Sequence, residues 1–277
     1  MSHLFKRIPT PSSLLPFLML AMTIFFGGCM DITGRGPAPL DRTVDQAQRQ
    51  LHTRVGYVYC MRGWLGIFST GMDTLADKID SKIGAPAVSV ADEEYRRLQD
   101  WLIKEHDEGH INEGPLVLLG HSYGADDQIR VAEALKEHGI SVDLLVVIDP
   151  VTPPPIPDNV KRAYCLYYSH PLTDWYPAWR GVPARVADPT KTPLTNIDLR
   201  TTDVGFDTSE INHVNVEAVN GVHNMVMKQI EQVCPPRTAW LQTHPATGNQ
   251  PLTQVPAAVI NGAAMRAPGG KPNVATP

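Results

Sequence analysis

Leu116-Val-Leu-Leu-Gly120-His-Ser122-Tyr-Gly124-Ala125 holds an apolar run, a turn with glycine at both ends and the start of a helix within ten residues. The run Leu116–Leu119 has no in-out alternation and is too short for a helix, so it predicts a strand covered on both faces. Ala125 to His138 predicts a helix, closed by Gly139. Between them lies G-x-S-x-G. A strand that passes directly into a helix needs a very sharp turn, where side chains at 120 and 124 are expected to collide. Glycine at both places removes the clash. Ser122 is then left at the C-terminal edge of a sheet, over a helix N-terminus whose free amides favour negative charge.

Outward from this turn the same alternation repeats. Val55 to Met61 is β-branched and aromatic and predicts a buried strand. Gly71 to Ile83 predicts a helix on the spacing of Met72, Leu75, Ile79 and Ile83. Ala87–Val90 is a short strand, and Asp92 to Lys104 a charged helix with Tyr95, Leu98 and Leu102 on one side. Val142–Ile148 and Tyr164–Tyr168 predict two further strands, and Ile197–Thr202 another. A last helix carries Val219, Val222, Val226, Ile230 and Val233 along one side. Strands separated by helices pair in parallel, because each return to the same sheet edge needs a crossover. The expected fold class is α/β, a mostly parallel central sheet with helices on both faces.

The 277 residues are 43% hydrophobic and 19% charged, with a formal charge of −5. That composition excludes a disordered chain and a multi-span membrane protein, and no basic patch invites a nucleic acid. Lys6 and Arg7 precede a 13-residue apolar run, Leu14–Phe26. A spanning helix needs about 20, so residues 1–28 read as a secretory signal peptide. Phe26-Gly-Gly-Cys29 resembles a bacterial lipobox, with Phe26 in place of the usual leucine, and implies lipidation of Cys29. The expected location is the bacterial cell envelope, reached by secretion across the inner membrane and held by that anchor. Residues 29–45 read as a flexible tether and 46–234 as the folded domain. Residues 235–277 hold eight prolines, four glycines and no acid, and read as a disordered tail.

Gly120–Gly124 between strand and helix resembles the nucleophile elbow of the α/β-hydrolase superfamily of lipases, esterases and thioesterases, over about Val55 to Val233. The resemblance implies Ser122 as nucleophile, with an acid and a histidine following in chain order. His213, in a loop between the last strand and the last helix, is preferred on loop placement over His223, one turn into that helix. Asp149 ends an apolar strand, where a carboxylate needs a specific partner, and is preferred over Asp174 in the loop after the next strand. The amide of Tyr123 is the expected first oxyanion donor. Arg62-Gly-Trp64 is similar to the superfamily's His-Gly-x turn and offers the amide of Trp64 as the second. Trp175, Tyr176 and Trp179 lie in a proline-rich stretch suited to an aromatic wall or cover. His106 and His110 stand four apart without a metalloprotease pattern, and no metal or organic cofactor is implied. The expected function is cleavage of a carboxylic ester, thioester or lipid through an acyl-enzyme on Ser122. The alternatives are a non-catalytic envelope lipoprotein that binds a lipid or peptide, and an acyltransferase.

Overall fold

The computed structural model describes residues 38–41, 51–63, 69–110, 114–170, 175 and 180–244. The signal peptide, Cys29, Trp64, Asp174, Tyr176, Trp179 and the tail beyond 244 lie outside the described residues.

Six strands form one parallel sheet: β1 (Tyr57–Met61), β2 (Ala87–Val90), β3 (Leu116–His121), β4 (Leu144–Ile148), β5 (Ala163–Tyr167) and β6 (Leu194–Asp198), in the order β2-β1-β3-β4-β5-β6. The helices between them are α1 (Gly71–Lys78, continued by a π-helical turn through Ile83), α2 (Tyr95–Asp107) and α3 (Tyr123–Glu137), and α4 (Asn220–Val233) and α5 (Arg237–Thr243) follow β6. Alternate residues of one strand feed two separate cores. Leu118, Leu145 and Val147 meet Leu98, Leu102, Ile129 and Leu135 of α2 and α3. Val117, Leu119, Val146 and Ile148 meet Met72, Leu75, Val222, Val226 and Ile230 of α1 and α4. Burial on both faces is why β3 and β4 carry unbroken apolar runs.

Several boundaries depart from the sequence reading. Strand β6 starts at Leu194 instead of Ile197, because this edge strand is half-exposed and has no apolar pattern to mark it. The expected tether is not wholly free of the domain. Ala38 is buried, its N–H donates to the Glu94 carboxylate at 3.2 Å, and Arg97 Nη2 donates to its carbonyl at 2.8 Å. The domain also continues past Cys234. Val55 N–H donates to the Pro235 carbonyl at 3.1 Å and Arg237 N–H to that of Thr53 at 2.8 Å, which docks α5 beside the start of β1. Cys60, Cys165 and Cys234 are buried free thiols; burial pushes Cys165 and Cys234 up to about 12.

Candidate active site

All six strands point the same way, so the segments leaving β1, β3, β4 and β6 meet at one edge. The register pairs His121 with Ile148 and Ile148 with Leu166. Ser122 and Asp149 therefore emerge side by side, and they are the two non-glycine residues with positive φ among the described residues, at 56° and 49°. Each is locked by a backbone bond to its neighbour strand: Ser122 N–H to Ile148 O at 3.0 Å, and Asp149 N–H to Leu166 O at 2.8 Å. Holding an L-residue there costs about 1 kcal/mol or more, and the flanking strands over-determine it.

The elbow glycines work differently from the expected mutual clash. A Cβ on Gly120 would strike the backbone of Gly124, as expected. A Cβ on Gly124 would instead strike the carbonyl of Arg62, at the end of β1. Position 124 is small because α3 crosses the neighbouring strand.

His213 comes from the loop after β6. Its Nδ1 lies 2.8 Å from Asp149 Oδ2, and its Nε2 lies 2.9 Å from Ser122 Oγ. A carboxylate only accepts, so Nδ1 carries the proton and Nε2 is left to accept from the serine hydroxyl. The second carboxylate oxygen, Oδ1, accepts the Tyr168 N–H at 2.7 Å. Asp149 is fully buried, and Ser122 and His213 are each 7% exposed, so the relay sits in a low-dielectric setting. Tyr123 is the first residue of α3, where its amide has no acceptor within the helix. Order of strands, elbow and relay agree. The fold is that of an α/β-hydrolase.

No family model and no curated relative matches the chain. Among solved structures it is similar to the NocB thioesterase domain of a nocardicin cluster, at 14% identity and TM-score 0.41, over 63% of this chain and 93% of that one. An arylesterase matches at 11% identity and TM-score 0.44, over 66% and 76%. A hyperthermophilic esterase from the archaeon Pyrobaculum calidifontis matches at 23% identity and TM-score 0.29, over 36% and 38%.

The other histidines of the hydrolase fold have separate places. His223 is buried away from the relay: its Nε2 donates to the Glu217 carbonyl at 2.6 Å, and Lys78 Nζ donates to its Nδ1 at 2.7 Å. Burial, then the Lys78 charge, lowers its pKa. His121, inside the elbow, is buried beside the strand. Its Nε2 donates to the His213 carbonyl at 3.0 Å, while Nδ1 accepts from Ser69 Oγ at 2.8 Å. Burial and the nearby His213 hold it well below the ordinary imidazole value, so this bracket stays neutral. Arg62 is likewise buried, with Nε 3.7 Å from Asp73 Oδ1.

Two supports escaped the sequence reading. Asp126, in the first turn of α3, is buried and accepts the amides of Val151 at 3.2 Å and Thr152 at 2.8 Å, tying down the loop behind Asp149. Its acid signal is indistinguishable in sequence from an ordinary helix-start acid. Gly181 touches the relay directly, since a Cβ there would fall on the Asp149 carboxylate. Trp175, offered as part of an aromatic wall, is 78% exposed.

Proposed function

We propose that the protein is a serine hydrolase that cleaves a carboxylic ester or thioester through an acyl-enzyme on Ser122. The observation that carries this reading is the continuous relay Asp149–His213–Ser122, with contacts of 2.8 and 2.9 Å on a positive-φ elbow. Ser122 Oγ attacks the acyl carbon as its proton passes to His213 Nε2, and Asp149 holds Nδ1 and stabilises the imidazolium. The tetrahedral oxyanion takes a hydrogen bond from the Tyr123 amide, with Trp64 proposed as the second donor. Collapse expels the alcohol or thiol, which leaves with the proton from Nε2. Water then attacks the acyl carbon and gives its proton to the same nitrogen; the second tetrahedral intermediate collapses to the acid, and Nε2 returns the proton to the departing Ser122 Oγ.

A secretory signal over residues 1–28 and a lipid on Cys29 belong to the same proposal and rest on the charged, apolar and small-residue order of the leader. Among the described residues no helix is long and apolar enough to cross a membrane. The test is stoichiometric labelling by a fluorophosphonate, lost in Ser122→Ala, together with turnover of p-nitrophenyl esters from acetate to palmitate. A folded wild-type protein that neither labels nor turns over any ester or thioester would sink the reading.

A further inference from the structure

We propose that Glu105, Glu108 and His110 form a site for a divalent first-row transition-metal ion at the end of α2. The cluster lies at the opposite edge of the sheet from Ser122. Tyr57, the first residue of β1, donates its hydroxyl to the His110 carbonyl at 3.0 Å, and it pairs with Leu116, six residues before Ser122 in an extended strand. The separation is therefore about 20 Å.

The backbone brings the ligands together before any ion arrives. Gly109 ends α2 at φ 80°, its N–H donating to the His106 carbonyl at 2.9 Å, while the His110 N–H donates to the Glu105 carbonyl at 2.7 Å. This crossed pair of bonds closes the helix and places side chains 105 and 110 against each other, where an apolar contact is usual. Here the contact is a carboxylate against an imidazole. Glu105 is only 3% exposed, yet its Oε2 receives no hydrogen bond, and the buried Nδ1 of His110 makes none either. A buried, unpartnered carboxylate oxygen is costly. His106, which spacing alone would pair with His110, turns instead to Asp107 at 3.4 Å.

The distances fit an ion held in common. His110 Nδ1 lies 3.7 Å from Glu105 Oε2 and 3.5 Å from Glu108 Oε2, and all three ligand atoms fall within 4.8 Å of one another. These separations are too long for an N–H···O hydrogen bond. Two ligands bound tetrahedrally at about 2.05 Å stand about 3.4 Å apart, which matches. One imidazole and two carboxylates suit Zn²⁺ and its neighbours, with water completing the coordination. The negative end of the α2 dipole adds attraction for a cation. A bound ion would clip the segment entering β3 to the end of α2.

The experiment uses the whole protein, stripped with EDTA and titrated with ZnCl₂ in a calorimeter, with thermal melts in parallel. One saturable site per chain is expected, weakened tenfold or more in His110→Ala and in Glu108→Gln. Saturating Zn²⁺ should raise the wild-type Tm by several degrees and leave both variants unshifted, since an ion that binds only the folded chain stabilises it. The Glu108 side chain is 43% exposed, so glutamine there keeps the fold. No saturable site in the wild type, or Zn²⁺ binding unchanged in both variants, overturns the proposal. Neither readout depends on ester hydrolysis.

Discussion

Replacing Asp149 by asparagine keeps the shape of the side chain and removes one of its two acceptors. In the wild type Oδ1 takes the Tyr168 N–H at 2.7 Å and Oδ2 takes the His213 Nδ1–H at 2.8 Å. The amide has two ways to sit. With its oxygen toward Tyr168, its NH₂ faces His213, Nδ1 becomes the acceptor, and the ring proton moves to Nε2. That tautomer cannot take the Ser122 proton. The opposite orientation sets two N–H donors against each other at Tyr168, in a spot with no solvent exposure. An unmade buried hydrogen bond costs about 1–3 kcal/mol, so the inactive tautomer leads by about 5- to 150-fold. The asparagine is also uncharged, so the imidazolium formed during attack loses its stabilising partner. Together these predict a fall in kcat of about 10³–10⁴, or about 4–5.5 kcal/mol of barrier. The assay is kcat on a short p-nitrophenyl ester, with a thermal melt expected close to wild type. Asp174→Asn should cost under about tenfold. A folded Asp149→Asn enzyme within tenfold of wild type would refute the reasoning.

Gly181→Ala should lower kcat by about 10², although residue 181 is no part of the relay, because its new Cβ must push the Asp149 carboxylate aside; a kinetically normal, folded variant counts against the packing. His121→Ala should lower kcat by about 10–100-fold with KM little changed, through release of the His213 backbone, and His121→Gln, which keeps an N–H donor, should recover part of it. Glu217 is pushed up to about 8, first by burial and then by Asp73. A folded-state pKa above the unfolded value means stability that is full below about pH 4.3 and lost as pH rises towards 8. Wild-type Tm should therefore fall over that range more than the Tm of Glu217→Gln, and parallel curves would contradict the assignment. If Cys29 carries the proposed lipid, Cys29→Ala should keep the ester-cleaving activity of the wild type and move the protein from the membrane to the soluble fraction; unchanged membrane association would remove lipidation as the anchor.

The sequence by itself determined what is local along the chain. An unalternated apolar run marks a strand covered on both faces, the spacing of Val222, Val226 and Ile230 marks a helix face, and glycines around Ser122 mark a turn of special backbone geometry. Loop placement was enough to prefer His213 to His223. The one local ground for preferring Asp149 to Asp174 is the apolar strand that it ends, where a carboxylate needs a partner. What only the tertiary structure supplies is the partner: the register of β4 against β3 sets Asp149 beside Ser122, and a loop returns 64 residues later to present His213. The same holds for Gly181 against the carboxylate, Gly124 against the Arg62 carbonyl, and His121 between Ser69 and His213. Ala38 and α5 dock on the domain although composition assigned them to a tether and a tail. Periodicity and turn chemistry act between neighbours in sequence. Which distant segments share an edge of the sheet is set by strand order and packing, and that information exists only once the chain has folded.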